Sequence, residues 1–165
     1  VLRRHGILTA PIVARDYDSE SFKVPDFLAI YGDTVLSVDV SITHPCSKST
    51  VERASKEACF AARARETSKV AKHRRAANRN GHVFQPWVLE VYGSWGPALE
   101  TSIRKIAAFT PNPKHFVRDF AATVAVALQR GNRQMITNAL SCDHTAEANE
   151  PEHCPQSVFV AADWF

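Results

Sequence analysis

The sequence predicts an α/β fold: a mixed β-sheet, built from a hairpin plus a returning strand, flanked by helices. Three observations carry that prediction. Two apolar, β-rich runs, KVPDFLAIY and TVLSVDVSIT, are separated by Gly32-Asp33. An alanine-rich, basic stretch over residues 49–79 follows them. A third strand-forming run, HVFQPWVLEVY, then spans His82–Tyr92 before the chain turns helical again.

The elements follow in order. Residues 1–22 carry little pattern: Ile7, Leu8, Ile12 and Val13 suggest a short helix end and a strand near Pro11–Arg15, and DYDSES reads as a polar loop. Val35, Val38, Val40 and Ile42 favour strand. The short glycine-containing link between the two runs reads as a hairpin turn. Both runs are apolar on both faces, which predicts a sheet covered on each side. His44-Pro45-Cys46 ends the second strand. A helix is expected over 49–79, capped by Ser49 or Thr50, with Glu52 in its first turn and Asn80-Gly81 as its stop. Its alanines favour helix and permit close packing on a sheet. In the third strand Pro86 marks a bulge or an edge. Pro97 suits the first position of a helix reaching about Ala108, with Leu99, Ile103, Ile106 and Ala107 on one face. Phe109–Pro113 breaks it. A last helix is expected over Lys114–Leu140, with Phe116, Phe120, Val124 and Leu128 at i+4 steps and Gly131 as a splitting point. The domain is thus placed at 1–140, with a core at about 23–96 and further helices over 97–140. Residues 141–165 read as a polar tail or, in SVFVAADWF, a late strand.

Composition narrows the function classes. At 165 residues, 45% hydrophobic and 22% charged, the chain is an ordinary globular domain, not a disordered one. No run approaches the ~20 apolar residues of a membrane helix, so no membrane partner is expected. The start, VLRRHGIL, lacks the apolar run of a signal peptide, and opening on Val1 suggests a piece of a longer polypeptide. The net charge of +3 hides an uneven distribution: Glu52–Arg79 holds nine Lys or Arg against three Glu. Such a basic strip is the footprint of a polyanion, or else a solvated helix face. Four cysteines without a CxxC pair imply reduced thiols and an intracellular setting, nuclear or cytoplasmic. Cys142, His144, His153 and Cys154 are all zinc-ligating types, but separations of one, eight and zero residues are not finger-like. No zinc site is expected there.

Two acidic residues stand out. Asp26 follows Pro25 at the start of the first hairpin strand, and Asp39 is flanked by valines in VLSVDVSIT. A carboxylate in such surroundings is costly to bury unless paired or bound to a cation. For a hairpin turning between Gly32 and Asp33, paired residue numbers sum to 65, which sets Asp26 opposite Asp39. Two neighbouring carboxylates repel, and a divalent metal between them relieves the repulsion. The same residues also read as a backbone-capped Asp26 and an Asp39 paired with an arginine.

Pro-Asp, twelve residues, then an aspartate in an apolar strand followed by a basic helix, resembles the PD-(D/E)xK nuclease superfamily. The likeness is closest to the restriction-like endonuclease domain of non-long-terminal-repeat retrotransposons. It rests on VPDFLAIYGDTVLSVDVSIT, on SKVAKH and on HVFQPWVLEVYGSWG, and covers about residues 23–96. The general superfamily places a lysine two residues after the second aspartate, where this chain has Ser41. In the retrotransposon enzymes the lysine is moved to the following helix in a K-x-x-x-Y pattern, which Lys69-Val70-Ala71-Lys72-His73 matches with His73 in the tyrosine place. The resemblance implies a restriction-endonuclease-like core and Mg²⁺- or Mn²⁺-dependent phosphodiester hydrolysis that nicks target DNA. It implies Asp26, Asp39 and the Val40 carbonyl as metal ligands and Lys69 as the catalytic lysine. Lys72 and Lys56 are competitors for that role. It also implies a place in a retroelement polyprotein beside a reverse transcriptase.

Arg63, Arg65, Lys72, Arg74 and Arg75 are the candidate contacts to nucleic-acid phosphates, which position DNA without reading bases. Glu90 is a candidate further metal ligand, and His44 a candidate site residue after the second strand. Trp87 is assigned to the core and Trp95 to a hydrophobic plug. Two other classes stand beside the nuclease: a catalytically inactive nucleic-acid-binding module of the same fold, and a protein-interaction domain using helices 97–140.

Overall fold

Gly32 and Asp33 form the turn between β2 (Phe27–Tyr31) and β3 (Thr34–Thr43), with Tyr31 opposite Thr34 and Phe27 opposite Val38. Paired numbers sum to 65, as the hairpin register predicts. The computed structural model describes residues 1–12 and 24–142. β1 (Leu8–Pro11) pairs antiparallel with β2, and β4 (Val83–Glu90) lies parallel to β3, giving a mixed sheet in the order β1-β2-β3-β4. The first strand therefore begins earlier than the expected Pro11–Arg15. Val13–Arg15 and the DYDSES run lie outside the described residues, as does SVFVAADWF.

The basic stretch is two helices, not the single helix expected over 49–79. α1 (Val51–Ala54) ends at Ser55, and α2 (Phe60–Arg79) starts after Cys59, whose φ of 57° is incompatible with a continuous helix. α2 begins there because the buried Glu90 Oε1 accepts a hydrogen bond from the Ala62 amide, satisfying a donor in its first turn. At its other end, Gly81 takes φ 69°, while the amides of His82 and Gly81 donate to the carbonyls of Ala77 and Asn78. This paired capping stops the helix where Asn80-Gly81 predicts.

Among the described residues, β4 has β3 as its one full strand neighbour, which puts Pro86 at an edge. The segment after β4 folds back along the open edge: Trp95 bridges Leu89, and the Gly96 amide donates to the Val88 carbonyl. α3 (Pro97–Ala107) then starts with Pro97 in its first turn. α4 (Pro113–Cys142) runs without a break through Gly131. One interior glycine costs roughly 1 kcal/mol of helix propensity, which a long helix anchored by core residues absorbs.

The strand alternation divides the molecule into layers. Val38, Trp87 and Leu89 join Leu99, Ile103, Ile106, Phe116, Phe120 and Val124 in the main core, which places α3 and α4 on one face. Trp87 packs edge-on against Phe27 and Phe120, and Trp95 against Phe120, matching the core and plug roles expected of them. α2 covers the opposite face, where Ala76 and Ala77 pack on Phe84.

Candidate active site

Asp39 is the odd-numbered residue at the middle of β3, so it points away from the main core and toward α2. It is 6% exposed. On α2 the buried or half-buried residues Ala62, Glu66, Lys69, His73 and Ala76 follow one another at steps of three and four, a single stripe turned toward the sheet. That stripe delivers Lys69 to Asp39: Nζ lies 2.6 Å from Oδ2, with side chains 14% and 8% exposed. His73, one turn further, is stacked on Phe84 and brings Nε2 to 4.0 Å from Asp39 Oδ1. The partner of Asp39 is thus a lysine, not the arginine of the alternative reading.

Asp26 lies one residue before β2, whose register ends with Phe27 opposite Val38. Its amide donates to the Val38 carbonyl at 2.8 Å, and its Oδ2 accepts the Val40 amide at 2.6 Å. Its carboxyl is held above the ordinary aspartate range chiefly by loss of solvent. The Val40 amide opposes that rise, the charge of Asp39 adds to it and the ammonium of Lys69 lowers it. Asp26, Asp39 and Lys69 therefore form one electrostatically linked cluster. Val40 enters it through its backbone, while its side chain turns to the main core.

The other candidates are placed elsewhere. Glu90 is buried, but it stands opposite Thr43, four residues along β4 from Pro86, the neighbour of Asp39. At ~3.3 Å per residue that is roughly 13 Å away, and its carboxylate serves the α2 N-terminus. His44 is exposed, edge-on to Tyr92, and accepts the Cys46 amide at Nδ1. Lys56 is exposed beyond α1 and pairs with Glu52. Lys72 is exposed on α2, off the buried stripe.

The arginines divide between two flanks of α2. Arg65, Lys72 and Arg79 recur at seven-residue steps and, with Arg75, run along one flank. Arg63 and Arg74 lie on the other. Arg63 is tied to the Glu57 carboxylate and donates to the Ala58 carbonyl at 2.9 Å. Arg53 lies over the Phe60 ring. The charge-rich segment is therefore not one continuous strip.

Sequence reasoning missed Glu66. It is 8% exposed, and its Oε1 accepts the Ala98 amide at 3.0 Å, capping α3 from α2. Desolvation raises its pKa, against the opposing backbone hydrogen bonds of Ala98 and Leu99 and the charge of Arg63. The signal was its place three residues before Lys69, on the same helical stripe.

Whether the cluster suits a metal can be asked of its donors. Two neighbouring carboxylates offer hard oxygen ligands of the kind Mg²⁺ takes together with water. Ser41 Oγ, two residues from Asp39 on the same face, is buried without a hydrogen-bond partner among the described residues. It is a polar atom that a hydrated cation would satisfy. No group of three or more His, Cys, Asp or Glu converges as a metal site among the described residues. His144, His153 and Cys154, and the side chain of Cys142, lie outside the description. No described helix is long and apolar enough to cross a membrane. No protein-family model matches the chain, and no curated protein or solved structure matches it.

Proposed function

We propose that this chain is a metal-dependent endonuclease domain that nicks DNA by phosphodiester hydrolysis, within a retroelement polyprotein that also carries a reverse transcriptase. The observation that carries this reading is the cluster itself: Asp26, bonded to Val38 and Val40 on either side of Asp39, with Lys69 brought to Asp39 from the covering helix. Asp26 and Asp39 would hold Mg²⁺ or Mn²⁺, with the Val40 backbone beside them. Such an ion polarises a phosphate and lowers the pKa of a bound water. Lys69, oriented by Asp39, offers an ammonium to a phosphate oxygen or an attacking water. Asp26 is positioned by its own hydrogen bond to Val40, so the carboxylate needs little reorganisation. Arg65, Lys72 and Arg75 on one flank of α2 supply phosphate contacts.

The test is nicking of supercoiled plasmid by parent and Asp39→Asn proteins with Mg²⁺. The parent should nick and the variant should not, while both bind DNA alike in EDTA. Full activity in Asp39→Asn would refute the mechanism. One observation favours a second reading, an inactive nucleic-acid-binding module: Lys69 already pairs with Asp39, and the Val40 amide already bonds Asp26, without a metal. Parent protein that binds DNA but does not nick it with either ion supports that reading.

A further inference from the structure

A second site lies on the opposite face of the sheet, where the β2–β3 turn meets the end of α3. A cleft of about 490 Å³ opens there, within the range of small-ligand sites. Its wall carries an aromatic platform. Phe109 is 57% exposed, yet its ring is braced from behind. A Cβ at Gly32 would meet Phe109 Cε1 at 2.8 Å, so the ring lies directly on the hairpin turn. Tyr31 packs against the same ring, centroids 5.0 Å apart at 55°. Phe109 therefore presents ring surface to solvent while its other side rests against Gly32 and Tyr31.

The rest of the lining is mixed: Leu36, Val83 and Ala108 give it an apolar floor, and a few polar side chains stand among them. Among the described residues, Lys105 is the one charged residue lining the cleft, and no carboxylate lines it. Thr34, Thr101 and Gln85 also line it. Gln85 is held in place because its amide nitrogen donates to the Ala98 carbonyl at 2.9 Å. An exposed aromatic ring, a cation, a few hydrogen-bonding groups and an apolar floor suit a flat heteroaromatic ring attached to a phosphate. A duplex hides its base faces, whereas an unpaired nucleotide offers both parts.

We propose that this cleft binds an unpaired nucleotide of a single-stranded nucleic acid. The base stacks on Phe109, its edge meets Gln85 and the threonines, and Lys105 takes the phosphate. The proposal does not rest on the nuclease reading, since it uses none of Asp26, Asp39 or Lys69.

The experiment is fluorescence anisotropy with a labelled oligothymidylate, single-stranded or annealed to its complement. It is run in EDTA on the parent, Phe109→Ala, Phe109→Trp and Lys105→Ala proteins. Base stacking on one aromatic side chain corresponds to roughly a tenfold change in affinity. Phe109→Ala should weaken single-strand binding about tenfold and leave duplex binding within about twofold. Phe109→Trp should retain single-strand affinity, with its fluorescence quenched on binding. Lys105→Ala should weaken single-strand binding and flatten its salt dependence. Three results would overturn the proposal: a parent that does not bind the single strand, Phe109→Ala that weakens both forms equally, or a Trp variant that binds without quenching. Because Phe109 is mostly exposed, the Ala variant should fold, and its melting curve checks this directly.

Discussion

The two faces of the sheet are made from the same strands but bury opposite kinds of side chain. Toward α3 and α4, β3 presents Leu36, Val38 and Val40, which join an apolar core with Trp87, Phe116 and Phe120. Toward α2, the alternate residues are Ser37, Asp39 and Ser41, facing a helix stripe that carries Glu66, Lys69 and His73. Period-two alternation alone produces this division. The difference shows how the chain keeps charges under a helix. Burial of an unpaired charge is expensive, so each acidic group on the α2 side is engaged by another element. Asp39 takes Lys69, Glu66 takes the start of α3, and Glu90 takes the start of α2. The apolar face supplies cohesion, and the polar face spends part of it on a preorganised cluster.

The strongest way to break this comparison is to weaken the cohesive face. Phe116 is fully buried, and Phe116→Ala removes a ring from the centre of the apolar core. The expected loss is about 3–5 kcal/mol, read from urea unfolding. A loss under about 1 kcal/mol would mean the core can collapse around the gap, and the contrast between the faces would be overstated.

The polar face should respond through its pairing. If Asp39 had only Asp26 as a charged neighbour, Asp39→Asn would be neutral or stabilising. The ammonium of Lys69 at 2.6 Å reverses that sign, because the exchange leaves a largely buried cation without its partner. Asp39→Asn and Lys69→Met should each cost about 3 kcal/mol in the absence of metal. The double variant should cost less than their sum, since it strands neither charge. Additive losses in urea unfolding would show that the pair is not coupled.

The flanks of α2 allow a smaller test. Arg65, Lys72 and Arg75 lie along one side, while Arg63 on the other is tied to Glu57 and the Ala58 carbonyl. Replacing the first three by alanine should flatten the salt dependence of DNA binding by up to about 0.9 per lost phosphate contact. Replacing Arg63 and Arg74 should flatten it less. Equal slopes for the two sets, from titrations at several salt concentrations, would place the DNA elsewhere.

Much of this was legible in the sequence because it rests on local rules. The hairpin register, with Phe27 opposite Val38, follows from Gly32-Asp33 and the β-rich runs. The end of α2 follows from Asn80-Gly81. What was not legible depends on contacts distant in the chain. Alanine-rich, capped and basic, residues 49–79 satisfy every local criterion for one helix. The break at Cys59 appears only once Glu90, 28 residues from Ala62, supplies a cap for a second start. Lys69 was distinguishable from Lys56 and Lys72 by its family-like motif, but its contact with Asp39 depends on how α2 crosses the sheet. Glu90 and Glu66 looked alike as buried or helical acids. Their capping roles belong to helices that begin elsewhere.

The finest test concerns Glu66 and the pH dependence of stability. Its pKa in the folded chain lies above the ordinary 4.5, because loss of solvent outweighs the Ala98 and Leu99 amides. The folded protein therefore holds this proton more tightly than the unfolded chain does. In the window between 4.5 and the raised folded value, the native state binds more protons, so stability falls as pH rises through that window. Above the window the cost of an ionised Glu66 is present in full, and below it that cost is gone. Glu66→Gln removes the titration while keeping an oxygen for the Ala98 amide. Its NH2 group cannot accept from the Leu99 amide, but that offset is the same at every pH. The difference in melting temperature between parent and variant should therefore shift in the parent's favour on acidification from neutral pH into the window. The other acidic groups, Asp26 among them, titrate in both proteins and largely cancel from the difference. A difference that stays constant across that range, or moves toward the variant, would mean that the amides at the start of α3 outweigh the desolvation. Glu66 would then stabilise the polar face as a charged cap.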